Sequence, residues 1–274
     1  MNNNSILLID PNFEPAESKN LSLLVKIGAD TFSYAITNAT EKTLLAVYDE
    51  QECENGYDKL QERLKTDAYL KLPYKEVKIA AHTQNIIFVP QELFNQNDTV
   101  LYTKFFTETD VENVYVQPSL QQSVQTIFAL PPTAEKIIGE HWPNSTKLQH
   151  NAGLIELAAQ IETASIIIDF SVSSFQIIYI NRNKITFSQS YQFDNLDELT
   201  YYIILIINEL NINTKQTNLK LCGIIHEDDE KWNLLAQYFE KVNLWVATPS
   251  LNTDILDDMP AHYYTSLLAL QQCV

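Results

Sequence analysis

Two segments of the chain share one pattern of apolar runs and polar turns. Residues 23–48 and 166–191 each begin with an apolar run that ends in a polar turn, at 28–31 in the first segment and at 171–174 in the second. An alternating run follows, then a turn that contains Asn38 or Asn181, and then a third run. Alternation with a period of two between such turns predicts three antiparallel strands in each segment.

The two segments align without a gap at a spacing of 143 residues. Four identical pairs fall opposite each other: Phe32 with Phe175, Asn38 with Asn181, Thr43 with Thr186, and Tyr48 with Tyr191. A fixed spacing of this length indicates an internal duplication in which each copy forms one lobe. We therefore place the first lobe at residues 1–150 and the second at residues 151–274.

Helical periodicity follows each segment. In the first copy, apolar residues recur every three to four positions, at Tyr57, Leu60, Leu64 and Ala68, which describes one face of a helix. In the second copy, Asn195 followed by Glu198 predicts a capping box that opens a helix through Leu210. The β-branched residues 203–207 also fit a strand, but acidic residues at the start of the segment favour a helix because they complement its dipole.

Strands and helices then alternate in both copies. Apolar runs that stop at turn residues or prolines predict strands at 86–89, 124–130, 219–225 and 242–247. Helices are predicted at 132–142 and 230–241. A further helix links the two copies, with Leu154, Leu157, Ala158 and Ile161 on one face. The predicted fold class is α/β: two lobes, each a mixed five-stranded sheet flanked by helices, facing one another across a cleft.

Charge narrows the range of partners. The chain has 18 Lys and Arg against 35 Asp and Glu, a net charge of −17. Nucleic-acid affinity depends on cations that displace condensed counterions, so neither nucleic acid nor an anionic membrane surface is an expected partner. Most of this charge is expected to form a solvated acidic surface.

Cysteine usage and hydropathy indicate the compartment. Cys53, Cys222 and Cys273 form an odd, widely spaced set, which predicts neither a disulfide framework nor a zinc site. No basic flank precedes the short apolar run at 6–9, and the most apolar stretch, 201–207, is too short to span a membrane. We expect a cytoplasmic protein without membrane insertion.

This order of elements resembles the actin-like ATPase superfamily, also called ribonuclease H-like, which includes actin, sugar kinases, heat-shock chaperones, FtsA and PilM. Three stretches are also similar to a bacterial family of unknown function with that fold: NIIFVPQELF at 85–94, QTIFALPP at 125–132 and HNAGLIELAA at 150–159. The resemblance implies that the turn between the first two strands of each lobe holds phosphate. It also implies that a later strand ending in glycine packs against adenosine.

The first phosphate turn is altered. The superfamily builds it as Asp-x-Gly followed by small hydroxyl residues, and the matching positions here are Lys26, Ile27 and Gly28. Lysine therefore replaces the acid, and Asp30 stands where phosphate would lie and would repel it.

The second turn and the adenosine strand are altered as well. The second turn keeps its acid but has serine in place of glycine, so that the matching residues are Asp169, Ser171, Ser173 and Ser174. A serine does not reach positive φ as readily as glycine. The adenosine strand ends in Gly223, one of only five glycines in the chain, and Ile224 follows where a second glycine is usual.

These changes predict weak or absent nucleotide binding and lost hydrolysis. No cofactor is then expected, and the chain would be a pseudoenzyme that acts by binding another protein. If the resemblance to FtsA and PilM extends to role, that partner belongs to a cell-envelope or division assembly. The alternative is an active ATPase or kinase that binds Mg-ATP through divergent loops, because backbone amides hold phosphate whatever side chain they carry.

A two-metal nuclease is a further alternative. Asp169, together with Glu198 or Glu209 on the next helix and the acidic run at 227–230, mimics the cluster of carboxylates that such chemistry needs. The chain lacks the basic track that a nuclease uses to hold its substrate. A solvated turn is therefore the favoured interpretation of the acidic run.

Overall fold

The strands and helices are those of a computed structural model, which describes residues 5–107, 113–119, 124–182, 184–246, 251–257 and 259–273. Its strands are β1 (Ser5–Ile9), β2 (Ser22–Ile27), β3 (Phe32–Asn38), β4 (Thr43–Glu50), β5 (Glu76–Ala81), β6 (Ile86–Pro90), β7 (Val114–Ser119), β8 (Val124–Ala129), β9 (Thr146–Gln149), β10 (Ser165–Phe170), β11 (Ser174–Asn181), β12 (Lys184–Gln192), β13 (Asn218–Gly223) and β14 (Val242–Leu244). Its α-helices are α1 (Gly56–Thr66), α2 (Thr99–Tyr102), α3 (Pro132–His141), α4 (Ala152–Ala158), α5 (Leu196–Glu209), α6 (Glu230–Ala236) and α7 (Thr265–Leu268).

Two mixed sheets form the centre of the fold, as predicted. The first has the order β1-β4-β3-β2-β5-β9 and the second the order β12-β11-β10-β13-β14. In both, three antiparallel strands are followed by two strands parallel to the first of them. The second sheet has the predicted five strands. The first has six, because β1 pairs antiparallel with β4.

The predicted strands at 86–89 and 124–130 are real, but they do not belong to the first central sheet. They are β6 and β8, which pair with β7 in a separate antiparallel sheet. The parallel positions of the central sheet are taken by β5 and β9. Sequence patterning missed both strands because Lys78 and Lys147 interrupt their apolar positions.

The duplication is visible in the register of the first two strands of each lobe. Pairing of β2 with β3 ends at Ile27 opposite Phe32, and pairing of β10 with β11 ends 143 residues later at Phe170 opposite Phe175. The pairings of β3 with β4 and of β11 with β12 also contain an irregularity at equivalent positions. These strands therefore correspond position by position, as the ungapped alignment predicts.

The third strand is where the ungapped alignment is wrong. Four residues separate β3 from β4, whereas two separate β11 from β12. Tyr48 lies opposite Tyr34, and Gln189 lies opposite Ile177 at the equivalent place in the second sheet. Tyr48 therefore corresponds to Gln189 rather than to Tyr191, because the second turn is two residues shorter.

The predicted helices are present with shifted ends. Asn195 caps α5 by accepting a hydrogen bond from the Glu198 amide at 3.0 Å, whereas the Glu198 carboxylate accepts from the amide of Asp194. The first predicted helix ends before Ala68, and the helix predicted at 230–241 ends at Ala236. The last predicted strand ends at Leu244, and Ala247 lies outside the described residues. Within those residues, no helix combines the length and apolar character of a membrane span.

Helices cover both faces of each central sheet. α1 and α3 pack on one face of the first sheet, and α5 and α6 on one face of the second. α4 lies between the sheets, with Ala152 in the core of the first and Leu154 in a core with the second. The helical segment of residues 261–272 joins it there, and Leu267 and Leu270 pack against the first sheet.

Lys78 of β5 anchors this helical segment. Its ammonium donates hydrogen bonds to the backbone carbonyls of Gln271 at 3.1 Å and Cys273 at 2.6 Å. The lysine is buried, so these carbonyls replace the water that its charge would otherwise need. A charged residue inside a central strand is thus explained by the segment that covers it.

Replacing this anchor is expected to destabilise the protein. Lys78→Met should lower the free energy of unfolding by about 2 kcal/mol, because the carbonyls of Gln271 and Cys273 lose a charged donor and Glu76 loses an ion-pair partner 3.4 Å away. The matched control is Lys75→Met at an exposed neighbouring position, which should change stability by less than about 0.5 kcal/mol. Urea unfolding measures both, and equal stability of the two variants would contradict the anchoring role.

Candidate functional site

The two turns that follow β2 and β10 contain the same backbone hydrogen bond. In the first, the Gly28 amide donates to the carbonyl of Thr31 at 2.8 Å, and in the second the Ser171 amide donates to the carbonyl of Ser174 at 2.8 Å. The duplicated sequence has therefore produced two copies of one turn. Ser171 forms the same hydrogen bond as Gly28 although it has a side chain.

The residues just before these turns bond to each other across the lobes. The ammonium of Lys26 lies 2.6 Å from the Asp169 carboxylate, and the two side chains are 11% and 7% exposed. Lys26 also donates to the hydroxyl of Ser266 at 2.6 Å. Because Lys26 and Asp169 are 143 residues apart, they are the equivalent positions of the duplication.

A second pair of equivalent positions makes a parallel contact. The Ser173 hydroxyl donates to the carboxylate of Asp30 at 2.5 Å, and the Ser174 hydroxyl donates to its other oxygen at 3.2 Å. Asp30 and Ser173 are again 143 residues apart. We call Lys26, Asp169, Asp30, Ser173 and Ser174 together the inter-lobe clasp.

The space beside the clasp is small. A cavity of about 40 Å³ is bordered by Lys26, Asp169, Ser171 and Ile224. A water molecule needs about 10–15 Å³ measured in this way, whereas pockets for small-molecule ligands and cofactors have about 300–1,000 Å³. The cavity therefore has room for a few water molecules and not for a nucleotide in this conformation.

A further carboxylate makes the cavity acidic. Asp49 of β4 borders it. The side-chain amide nitrogen of Gln51 donates to both carboxylate oxygens of Asp49, at 3.0 and 2.9 Å. Burial raises the pKa of Asp49 to about 6, against the lowering effects of Gln51 and Lys26. Burial also raises the pKa of the Cys222 thiol, whose sulfur lies 3.7 Å from Asp169. Asp169 pairs with the Lys26 ammonium, whereas Asp49 is hydrogen-bonded by Gln51 and feels the ammonium only at a distance.

The two glycines at predicted nucleotide positions have steric reasons to be glycine. Gly223 has φ of +76°, and a Cβ there would lie 2.1 Å from the carbonyl oxygen of Phe170. A Cβ on Gly28 would lie 2.1 Å from Oγ1 of Thr31. Their presence is therefore explained by the packing of the turns and does not require a bound nucleotide.

The predicted site residues thus divide into those in contact and those that shape the turns. Lys26 contacts Asp169, and Asp30 contacts Ser173 and Ser174. Gly28, Ser171 and Gly223 belong to the backbone of the turns. Sequence reasoning missed Asp49 and Ser266. An acid in the apolar run of β4 was a signal for Asp49, but Ser266 lies 240 residues from Lys26 and has no local signal.

Two carboxylates of the nuclease alternative lie at helix starts, and Asp169 is paired with Lys26. Glu198 interacts with the start of α5, and Asp229 accepts from the amide of Trp232 at the start of α6. Across the described part of the chain, no three His, Cys, Asp or Glu residues are grouped as a metal site would require.

Comparisons with known proteins place these features in a family. Residues 10–242 match the family described as Protein of unknown function (DUF3822). The chain belongs to this family. The sequence resemblance to a family of unknown function is thereby confirmed. No curated protein matches the chain.

Solved structures similar to this DUF3822 protein share its actin-like ATPase fold. A Bacteroides thetaiotaomicron protein with that fold and unknown function is 18% identical, with a TM-score of 0.74 over 96% of this chain and 99% of that one. A chain of the PilM-PilN type IV pilus biogenesis complex is 12% identical, with a TM-score of 0.63 over 92% of this chain and 97% of that one. The ethanolamine utilization protein EutJ of Carboxydothermus hydrogenoformans is 11% identical, with a TM-score of 0.52 over 97% of this chain and 93% of that one.

A double-mutant cycle is expected to show strong coupling within the clasp. Lys26→Met should lower the free energy of unfolding by about 3–5 kcal/mol, because it leaves the buried Asp169 without its partner. Adding Asp169→Asn should recover at least half of that loss. Lys59→Met removes ion pairs with Glu62 and with Glu50. Because all three side chains are more exposed than Lys26 and Asp169, this loss should cost only about 1 kcal/mol.

Urea unfolding of the wild type, both single variants and the double variant provides this cycle. If the effects of Lys26→Met and Asp169→Asn simply add, the two residues are not coupled and the clasp does not join the lobes.

Stability is expected to depend on pH through Asp49. Because the pKa of its carboxyl is about 6 in the folded protein and about 4 in an unfolded chain, the folded state binds more protons between these values. Stability therefore falls as the pH rises through this window. Asp49→Asn should match the wild type at pH 4 and exceed it by about 2 kcal/mol at pH 7.

Chemical denaturation at pH 4, 5, 6 and 7 tests this dependence, with the exposed Glu41→Gln as the control. A difference between Asp49→Asn and the wild type that stays constant across the four pH values would contradict the assignment.

Proposed function

We propose that this chain is a non-catalytic actin-like protein whose function is to bind another protein. The observation that carries the proposal is the inter-lobe clasp. The two turns that resemble phosphate loops bond to each other through Lys26 and Asp169, so that the protein's own side chains take the place of a ligand. A scaffold whose lobes are held together in this way needs no cofactor to close.

Electrostatics supports the same proposal. A nucleotide entering between the turns would have to separate the Lys26 ion pair and displace the two serine hydroxyls from Asp30. Its phosphates would then lie beside the carboxylates of Asp30, Asp49 and Asp169. Phosphate is attracted by free amides and cations, and here the ammonium is already paired.

The surface for the partner is proposed on the small β6-β8-β7 sheet and the helical turns beside it. Leu93, Val100, Leu101 and Phe105 are 62–85% exposed. Large apolar side chains this exposed, grouped in one segment, are typical of interaction surfaces. We call residues 93–105 the apolar segment.

The charge of this region indicates the chemistry of the partner. Between residues 86 and 119 the sequence has one lysine and five acids, namely Glu92, Asp98, Glu108, Asp110 and Glu112. Asp98 lies within the apolar segment and Glu92 directly precedes it, whereas the other three acids lie outside the described residues. A segment whose sequence is apolar and acidic complements a partner segment that carries apolar and basic residues. We therefore propose an apolar, positively charged protein segment as the occupant.

The proposed setting is a cell-envelope or division assembly in the cytoplasm. It rests on fold similarity to PilM, which is seen in complex with PilN in a structure described as a type IV pilus biogenesis complex. Similarity at 12% identity supports the fold, and the role is carried over by analogy. The occupant proposed above does not depend on this setting.

Capture and titration test the proposal. The wild-type protein should retain a protein from the lysate of its native host that the Leu93→Ser, Phe105→Ser variant fails to retain. The control variant carries Tyr201→Ser and Ile204→Ser on α5, whose side chains are also exposed, and should retain it.

The captured protein, once purified, is then titrated by calorimetry. Its Kd should rise at least about tenfold with the apolar-segment variant, as expected when buried apolar contacts at an interface are lost, and should also rise with salt because of the charges. Equal loss of binding by both variants would contradict the assigned surface.

The competing function is an ATPase or kinase that binds Mg-ATP. Calorimetric titration of Mg-ATP separates it from the scaffold: micromolar affinity that disappears with Asp169→Ala would refute the proposal, whereas no heat of binding at millimolar nucleotide supports it. Folding of the variant is checked by its unfolding transition.

A further inference from the structure

The outer edge of β12 is open, whereas the equivalent edge in the first lobe is covered. The counterpart of β12 is β4, whose outer edge pairs antiparallel with β1. The second sheet ends at β12, and no strand among the described residues pairs with that edge. The duplication therefore leaves one strand position of the second sheet without an occupant.

The sequence of β12 lacks the features that usually keep an edge strand from pairing. Residues 187–192 pair with β11 without a bulge, and neither proline nor a charged residue occurs among them. Natural proteins commonly protect an edge of this length with a charge, a proline or a bulge. The backbone amides and carbonyls along this edge can therefore pair with an added strand.

The sequence of this edge is self-complementary. In an antiparallel pair of two β12 strands with Gln189 opposite its own copy, Phe187 faces Tyr191 of the second copy. Ser188 likewise faces Ser190, on the other face of the sheet. Pairs of aromatic residues and pairs of hydroxyl residues both stabilise directly opposite positions of antiparallel strands. A two-fold axis at Gln189 thus gives every residue from 187 to 191 a matching partner.

The charges around this edge also favour a second copy. The net charge of −17 would repel a second copy in general, but residues 171–193 include Arg182 and Lys184 and no acid. In the register centred on Gln189, Lys184 of one copy faces Asp194 of the other, two residues beyond the end of β12. Both residues are exposed, and within the described residues neither forms an ion pair.

Exposed apolar surface adjoins the edge on α5. The ring of Tyr191 contacts that of Tyr202 with centroids 4.5 Å apart, and Tyr202 contacts Tyr201 at 5.6 Å. Tyr201 is 62% exposed, and Ile204 is 37% exposed. Because Tyr202 packs on β12, pairing of two β12 strands brings this surface of each copy close to the joined edges. Tyrosine is enriched at such interfaces.

We propose that two copies of this chain associate by antiparallel pairing of their β12 strands, with Gln189 opposite Gln189 across a two-fold axis. The two second-lobe sheets then form one continuous sheet. An interface of this kind is isologous, because both copies contribute the same surface. The inference goes beyond the proposed function, because β12 lies in the second lobe and the apolar segment lies in the first.

Sedimentation equilibrium of charge variants tests the pairing. The wild type should form a dimer with a Kd in the micromolar range, because the interface is small. Gln189→Lys and Gln189→Glu should each raise the Kd at least about tenfold, since like charges then face each other across the two-fold axis. Gln61→Lys, at an exposed position of α1, is the matched control and should dimerise as the wild type does.

Mixing the two variants tests the register. An equimolar mixture of Gln189→Lys and Gln189→Glu should recover the dimer, because opposite charges face each other only when the two variants pair, and salt should weaken it. A wild type that is monomeric at millimolar concentration would overturn the proposal. A dimer that survives both substitutions, or a mixture of normally folded variants that stays monomeric, would overturn it too.

Discussion

The ion pair between Lys26 and Asp169 directly joins the two central sheets, whose cores also meet at α4. Both groups are buried, so each one depends on the other for the stabilisation that water would have provided. The Ser266 hydroxyl also binds Lys26, which ties the helical segment between the sheets to the same point. The relative position of the lobes, the size of the cavity beside the pair and the placement of α7 are therefore linked through one ammonium group.

Duplication explains why this contact exists. Equivalent turns face each other, so the residues at equivalent positions meet: Lys26 with Asp169, and Asp30 with Ser173. The pattern resembled by these turns begins with an acid in both lobes. If residue 26 were acidic like Asp169, the two carboxylates would need a cation between them. A lysine at one of the two positions supplies that charge from the chain itself. The opposite charges at these two equivalent positions thus make the contact between the lobes.

Much of the fold could be predicted from the sequence, because it follows from patterns among residues that are close together in the chain. The alternation around Asn38 and Asn181 predicted the two meanders, and the acidic start of α5 predicted a helix despite its β-branched residues. The ungapped alignment already placed Lys26 opposite Asp169. The parallel strands β5 and β9 could not be predicted, because Lys78 and Lys147 interrupt their apolar patterns. The contacts that accommodate these lysines are made with residues distant in sequence. The Ser266 contact depends on tertiary packing in the same way.

The most direct test of the account is a crystal structure of the protein grown with a saturating, non-hydrolysable Mg-ATP analogue. The account predicts that the Lys26 ammonium remains within ion-pair distance of Asp169, that Ser173 remains bonded to Asp30, and that no nucleotide lies between the turns. Electron density for the analogue's phosphates between the turns at 28–31 and 171–174, with Lys26 moved from Asp169 to the phosphates, would contradict it.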